Sequence, residues 1–435
     1  MALGGGTFVT QNKVLPGAYI NFVAAAKASA ALSERGIATI PHSLDWGEVG
    51  KVIEVTTGDL QKNSMRLFGY DYTSPQLRPL RELFRNIRIG YLYRLGTGGT
   101  AASNIYGAAK YVGERGNSIT VVVKENVDDA AKKDVSVLMG GVEVSKQTVG
   151  AAADLVDDDF VIYLKEGGLA LTAGTPMTGG ENPAISNANH QSYLDAVESY
   201  TFNAIGCPSD EPTVKGLYTA FTKRLRDEQG VKFQCVAFDE SADYEGVVNV
   251  MNGVTDSGAD TYSLVYWVTG VVAGTNVNKS ALNKIYDGEF TVNVNYTQTQ
   301  LENAIKTGKF AFHRVNTDVR VLSDINSMVT VTVEKGEIFK ENQTIRVIDQ
   351  IANDIAVIFN TRYLGVIPND EAGRISLWSD IVKHHEQLQE IRAIENFKSD
   401  DVTVAQGNTK RSVLVSDLVT VVNAMAQLYM VVTVA

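Results

Sequence analysis

Hydrophobic positions repeat with two different periods along this 435-residue chain. In residues 36–95 and 190–325, short apolar runs of strand length alternate with segments in which apolar residues recur every three or four positions. Leu217, Phe221 and Leu225, for example, lie four residues apart and therefore share one face of a predicted helix. This alternation of strands and helices predicts an α/β core.

Longer helical patterns follow this core. Apolar residues spaced three and four apart predict one helix over residues 342–363 and another over about 377–397. Next, β-branched runs at 401–406 and 410–415 flank Gly407 and predict a hairpin.

Between residues 96 and 180 the pattern changes to short β-branched runs separated by glycine, aspartate and asparagine. No 3.6-residue period is visible there, so this stretch predicts a small all-β insertion domain. Glycine-rich segments at 96–99 and 178–180 bound it.

Both ends of the chain predict extended strand arms. The N-terminal arm pattern has no turn that would return it into a local hairpin; it comprises Tyr19, Ile20, Asn21, Phe22 and Val23. The C-terminal pattern is apolar on both faces; it comprises Leu428, Tyr429, Met430, Val431, Val432, Thr433 and Val434. Terminal residues usually fray unless they are docked, and an exposed apolar strand is an aggregation hazard. The C-terminal segment therefore has to pair, either centrally in its own domain or in the sheet of another subunit.

The whole pattern predicts a multidomain protein of mixed α/β and α+β class, with an α/β core, a small all-β insertion domain and extended terminal strand arms. The predicted parts are an N-terminal arm (1–24), the first α/β part of the core (25–95), the β-rich insertion (96–180), a central α/β domain (181–325), a C-terminal domain with two long helices (326–418) and a C-terminal arm strand (419–435).

Composition and charge exclude several classes of protein. With 44% hydrophobic and 20% charged residues the chain is that of a folded globular protein. Its net charge of −11, without a Lys/Arg cluster, argues against nucleic acid as a direct partner. No secretory signal is visible, and the longest apolar run, residues 262–273, is too short for membrane insertion. Cys207 and Cys235 predict buried free thiols in a reducing compartment.

No motif predicts catalysis or a bound cofactor. Gly96-x-Gly98-x-x-Ala101 looks superficially like a dinucleotide-binding turn, but the glycines that follow break any helix, which favours a linker. The sequence contains neither a P-loop nor a Gly-x-Ser-x-Gly elbow. We therefore expect no enzyme.

Metal binding has equally little support in the sequence. His384 and His385 are neighbours on a predicted helix, so they point about 100° apart and cannot chelate one ion together; a solvated helical face is expected for them. The carboxylates at 154–159 lack the spacing of a calcium loop and predict a turn at a strand edge.

Ordered segments along nearly the whole chain resemble the tail sheath proteins of contractile-tailed bacteriophages and of phage-tail-like particles. In the C-terminal region these are RVLSDINSM at 320–328, EKGE at 334–337 and NQTIRVID at 342–349. Further matching segments are GVVAGT at 270–275, KYVGERGN at 110–117 and NAMAQLYM at 423–430. The combination, in this order and spacing, is specific although no single segment would suffice.

The resemblance implies a structural polymer. Sheath subunits stack as hexameric rings around the tail tube, and strands from the arms of neighbours add to a sheet in a third subunit by β-augmentation. It also implies the tail tube protein and the baseplate and tail terminator proteins as partners. The location implied is the virion tail, with the host bacterial cytoplasm during assembly. Contraction would exchange interfaces without nucleotide hydrolysis and drive the tube through the bacterial envelope.

The resemblance further places the C-terminal domain against the tube and the insertion at the particle surface. Arg346, Lys383 and Arg392 are candidate tube contacts because they lie on the two long predicted helices, although a solvated face is the simpler interpretation. A monomeric module that binds a surface or a carbohydrate through residues 96–180 stays the alternative function.

Overall fold

The computed structural model describes residues 32–434, so the predicted N-terminal strand at 19–23 lies outside the described residues. The chain divides into two compact units. The larger unit comprises residues 34–352 and 421–435, and the smaller comprises residues 353–420 together with the segment that ends at Ser33.

The first part of the larger unit alternates strands and helices. Its elements are β1 (Ile37–His42), β2 (Val52–Thr56), α1 (Thr57–Phe68), α2 (Arg78–Phe84) and β3 (Ile89–Arg94). Helix α1 begins with a capping box, in which the Thr56 hydroxyl accepts from the Asp59 backbone N–H and the Asp59 carboxylate accepts from the Thr56 N–H. It ends at Gly69, whose φ of 74° suits the left-handed turn that closes a helix.

The insertion folds as two small antiparallel sheets around a shared core. Its strands are β4 (Ser103–Asn104), β5 (Gly107–Ala109), β6 (Ile119–Glu125), β7 (Lys133–Met139), β8 (Val142–Val149), β9 (Val161–Tyr163) and β10 (Thr172–Pro176). The sheets have the orders β10-β6-β7-β8 and β4-β5-β9. Trp46, which follows β1, is fully buried in this core against the rings of Tyr111 and Phe160. The insertion therefore shares its core with the preceding α/β part.

The central part completes a seven-stranded sheet. Its elements are α3 (Asn187–Val197), β11 (Ala204–Cys207), α4 (Pro212–Lys223), β12 (Gln234–Phe238), β13 (Val247–Val250), α5 (Leu264–Gly274), α6 (Gln298–Lys306), β14 (Lys309–Phe310), β15 (Phe312–Val315) and β16 (Asp318–Val321). The strand order is β14-β13-β12-β11-β1-β3-β2, and every neighbouring pair is parallel except β2 with β3. The predicted α/β core is confirmed.

The long apolar run at 262–273 is a buried helix, α5. It packs on α2 at a distance that only glycine permits, because a Cβ at Gly270 would lie 2.5 Å from the Leu83 carbonyl oxygen and one at Gly274 would lie 1.6 Å from that of Asn86. None of the helices between residues 32 and 434 combines the length and the apolar character that crossing a bilayer requires.

Helix α7 (Asn342–Ile358) begins in the larger unit and continues into the smaller one, where a π-helical turn (Phe359–Tyr363) follows. The remaining elements are α8 (Glu371–Glu390), β17 (Ile394–Glu395), β18 (Val402–Gln406), β19 (Val413–Asp417) and β20 (Thr420–Val421). The hairpin and both predicted helices are present, but α8 ends at Glu390, so residues 391–397, Arg392 among them, do not continue the helix as predicted. Helix α8 begins earlier than its apolar pattern predicts because Asp370 caps it, accepting a 2.8 Å hydrogen bond from the Gly373 N–H.

Two buried histidines of the larger unit make its stability dependent on pH. Burial, together with the charge of Arg94, lowers the pKa of His42 to about 3, and burial lowers that of His190 to about 4. The unfolded chain binds a proton at each residue near pH 6.5, whereas the folded chain does not until the pH is much lower. The unfolding free energy therefore falls as the pH is lowered from 7 to 5.

The unfolding free energy of the larger unit decreases between pH 7 and pH 5, and the substitution His190→Gln is expected to make this decrease about 2 kcal/mol smaller. The glutamine oxygen can still accept from the Tyr218 hydroxyl, which lies 3.0 Å from His190 Nδ1. Urea unfolding at the two pH values measures the effect. His313→Gln is the comparison variant. Partial burial and the charge of Arg320 lower the pKa of His313 as well, but this variant should keep the His190 contribution. An unchanged pH dependence in His190→Gln contradicts the prediction.

Candidate assembly surface

The C-terminal segment leaves the larger unit from a hydrogen-bonded clamp. The Gln343 side chain donates to the Val422 carbonyl oxygen at 3.0 Å and accepts from the Ala424 N–H at 3.0 Å, as a paired strand would. Asn423 and Thr344 bond to each other through their side chains at 3.1–3.2 Å. Because Gln343 and Thr344 are buried at the start of α7, the chain is fixed up to residue 424.

Beyond this clamp the segment is exposed and apolar. Leu428 is 85% exposed and Val431 is 94% exposed. Exposed apolar side chains continue along it at Met425, Tyr429, Met430, Val432 and Val434. Residues 422–434 have no regular secondary structure, and no described strand pairs with them. Pairing of 428–434 in another subunit therefore stays a prediction.

The β18–β19 hairpin of the smaller unit is open to further strands. It is a two-stranded sheet, with Val402 opposite Asp417 and Gln406 opposite Val413. Strand β18 is held against α8, since the Trp378 indole N–H donates to the Val402 carbonyl oxygen at 3.0 Å. A lone two-stranded hairpin is only marginally stable in water, so added strands would stabilise this one.

Strand β19 exposes apolar side chains on both of its faces, which the sequence analysis missed. Leu414 is 63% exposed, Val415 is exposed on the opposite face of the strand, and Leu418 is exposed just after the strand ends. The loop after α7 adds exposed Leu364 and Val366 to the same unit. The run of three consecutive apolar residues at 413–415 could have indicated this exposure. A hairpin that buries only one face needs apolar residues only at alternate positions.

Arg346 is wrong as a candidate tube contact, because its side chain is fully buried in the larger unit. It donates to the Lys279 carbonyl oxygen at 2.7 Å and lies 3.4 Å from the Asp324 carboxylate. Lys383 and Arg392 are exposed in the smaller unit, and their contact with a tube stays a prediction.

The solvated face predicted for His384 and His385 is also wrong, since both side chains are fully buried. The His384 Nε2 lies 3.0 Å from Asp354, and the His385 Nε2 lies 2.7 Å from Asp417. Periodicity did not reveal this burial because α8 presents its polar residues to α7 and β19. Among residues 32–434, no three His, Cys, Asp or Glu side chains group closely enough to hold a metal ion.

Other polar motifs of the sequence have structural roles. Cys207 and Cys235 are buried free thiols, as predicted. Burial raises the pKa of Cys235 to about 12, so this thiol is unreactive at neutral pH. In the predicted turn at 154–159, the Asp158 carboxylate accepts from the N–H groups of Phe160 and Val161.

The glycine-rich boundary at 96–99 is a connector and not a nucleotide-binding turn. Thr97 bridges to Ala184 and Thr100 to Glu181, so the entering and leaving chains pair as they join the insertion to the core. The following element is the short strand β4, whereas a dinucleotide turn would be followed by a helix.

Consecutive parts of the chain match described domain families. The tail sheath protein Gp18 domain III N-terminal region matches residues 35–95, and the phage tail sheath protein beta-sandwich domain matches 95–182. The phage tail sheath protein central domain matches 183–327, and the phage tail sheath C-terminal domain matches 334–435.

Individual relatives agree with these matches. The phage-like element PBSX protein XkdK of Bacillus subtilis (strain 168) is 32% identical, over 98% of this chain and 99% of that protein. The crystal structure of a sheath tail protein from Desulfitobacterium hafniense is 38% identical with a TM-score of 0.79, covering 90% of this chain and 93% of that one. The helical sheath of the anti-feeding prophage in the contracted state shares the fold, with 14% identity, a TM-score of 0.57 and coverage of 97% and 99%.

Proposed function

Because this chain belongs to the phage tail sheath protein family, we propose that it is the structural subunit of a contractile tail sheath. The subunits polymerise as stacked hexameric rings around a tail tube, in the tail of a phage or phage-like particle. Contraction of the sheath drives the tube through the bacterial envelope. Beside the tube protein, its partners are further copies of this chain and the baseplate and terminator proteins that bound the sheath.

The exposed apolar C-terminal segment supports this proposal most directly. The chain is clamped up to residue 424, and residues 425–435 can extend by at most about 36 Å at ~3.3 Å per residue. Burying each exposed Leu, Met or Val of this segment in a neighbour contributes about 1.5–3 kcal/mol. Ordering each residue costs about 1–2 kcal/mol, so one arm alone binds weakly and the lattice holds through many arms.

The β18–β19 hairpin is the proposed acceptor of neighbouring arms. Its two strands leave edges that other strands can extend, and its exposed Leu414 and Leu418 offer apolar contacts to them. Such backbone pairing tolerates rotation of the units that it joins, because the connecting segments are extended chain. The subunits therefore stay linked while the sheath shortens.

Contraction is proposed to proceed without nucleotide hydrolysis. The sequence carries no P-loop, and the family resemblance implies a sheath that is assembled in a metastable extended state. The free energy then comes from exchanging one set of subunit interfaces for a more favourable one.

Negative-stain electron microscopy of the full chain, alone and mixed with its cognate tube protein, tests the sheath function. Hollow striated tubes are the expected result. Dispersed particles under every condition, with tube protein present, would refute the proposal and favour a monomeric module that binds through residues 96–180.

A further inference from the structure

A continuous series of hydrogen bonds crosses the smaller unit from the first described residues to the hairpin. The Ser33 hydroxyl donates to Asp354 Oδ1 at 2.5 Å, and Asp354 Oδ2 lies 3.0 Å from His384 Nε2. The two histidines face each other with 3.2 Å between their Nδ1 atoms, and His385 Nε2 lies 2.7 Å from Asp417 Oδ2. This series, named the relay below, joins the N-terminal segment, α7, α8 and β19.

Two imidazole rings connect the two carboxylates of the relay. It contains three contacts between titratable groups: a carboxylate to a ring, a ring to a ring, and a ring to a carboxylate. Each contact needs one proton to be a hydrogen bond and not a repulsion between lone pairs.

The surroundings of the relay favour a fixed arrangement of these groups. Both imidazoles are fully buried, and the Phe397 ring packs on His385 with centroids 5.1 Å apart. The charged groups that face the rings are Asp354 from α7 and Asp417 from β19, while Lys383 and Glu386 on α8 itself are exposed. Removing one member leaves a buried polar partner unsatisfied, which costs more than the lost bond alone.

We propose that His384 and His385 are positioning residues that couple Leu32 and Ser33, named the arm root because they are the first described residues after the predicted N-terminal arm, to the hairpin that accepts the arms of neighbours. The coupling rests on the proposed sheath function, in which both ends of the relay carry links to other subunits. Displacement of the arm at Ser33 moves Asp354, and the paired rings transmit this displacement to Asp417 at the end of β19. The smaller unit thereby responds as one body when a neighbour pulls on it.

A second hydrogen bond supports the same geometry at the arm root. The Leu32 N–H donates to Gln387 Oε1 at 3.3 Å, two residues after His385 on α8. Leu32 and Ser33 are thus held by α8 and α7 respectively, and the same two helices supply the relay. The chain cannot shift at residues 32–33 without breaking the hydrogen bond to Gln387 or the one to Asp354.

Hydrogen exchange of the unassembled full chain tests the coupling. Ser33→Ala removes the hydroxyl that donates to Asp354 Oδ1 and leaves the weaker 3.3 Å bond from the Ser33 backbone N–H to Asp354 Oδ2. It is expected to raise exchange of the β19 amides about fivefold, corresponding to ~1 kcal/mol of lost local stability. In a His384→Gln background the same Ser33→Ala substitution should change β19 exchange no further, because the connection is already broken. Tyr363→Phe, which removes the 2.5 Å hydrogen bond from Tyr363 to Asp380 in the same unit, is the matched control and should leave β19 unchanged.

Several results would overturn the proposal. These are unchanged β19 exchange in Ser33→Ala, or a Ser33→Ala effect that persists fully with His384→Gln, or an equal effect of Tyr363→Phe. If His384→Gln does not fold, Asp417→Asn at the partly exposed far end replaces it in the cycle.

These measurements are independent of polymerisation. A positive coupling with no tubes in the microscope would refute the sheath proposal alone, whereas tubes without coupling would refute the relay alone.

Discussion

Deleting residues 425–435 is expected to abolish tube formation while the remaining chain folds normally. The deletion leaves the clamp between Gln343 and Ala424 intact, and the described part of the removed segment, residues 425–434, is exposed and pairs with no described strand. The unfolding free energy of the subunit should therefore stay unchanged, whereas the lattice loses one of its proposed links per subunit. Electron microscopy with the cognate tube protein, alongside circular dichroism of the unassembled chain, measures both results.

A point substitution separates the chemistry of the arm from its length. Val432→Asp introduces a charge that a partner sheet would have to bury unpaired, so tubes should again be lost. Val333→Asp is the matched control, because Val333 is an apolar residue of the larger unit outside the arm that is even more exposed than Val432. Removing residues 1–24 is expected to have the same consequence as the C-terminal deletion. Ordered tubes from either deletion would contradict the arm hypothesis.

Asp349→Asn is expected to lower the unfolding free energy of the larger unit by about 3–5 kcal/mol. Arg226 donates two hydrogen bonds to the Asp349 carboxylate, at 2.6 and 2.8 Å, and both side chains are buried. Burial by itself lowers the pKa of Arg226, but the charge of Asp349 outweighs burial and raises it. Removing the carboxylate leaves a buried guanidinium without its counter-charge. Urea unfolding followed by circular dichroism measures the loss.

An exposed ion pair provides the comparison for this prediction. Arg224, two residues before Arg226, forms a 2.6 Å ion pair with Glu198 at the surface. Glu198→Gln should cost less than about 1 kcal/mol, because water screens exposed charges. The double substitution Arg226→Met with Asp349→Leu should recover much of the loss from Asp349→Asn, since it removes both buried charges. Equal losses from Asp349→Asn and Glu198→Gln would show that burial does not make the difference.

Local pattern predicted the elements well because helix and strand periods are properties of consecutive residues. The hairpin at 401–415 and the helix over 342–363 are both present, the latter ending in a π-helical turn. The resemblance to tail sheath proteins is confirmed by the family matches along the chain. The element ends were less accurate, since the end of α8 at Glu390 depends on how the following residues pack.

Burial of polar residues was not predictable in the same way. Arg346, His384 and His385 occur at positions that a single helix would present to water, and their burial depends on residues far away in the sequence. Asp324 lies before α7, while Asp417 lies on a strand after α8. A charged residue is buried only where another element supplies its partner, and no local pattern identifies that element.

The amino-acid pattern was sufficient to predict the α/β core and the β-rich insertion, and it predicts that the apolar last residues pair with another strand. The tertiary structure decided that these last residues have no strand partner within the described chain and that Trp46 joins the core of the insertion. The physical reason is one of range. Periodicity and turn chemistry act between neighbours, whereas burial and pairing depend on which distant segments meet when the chain folds.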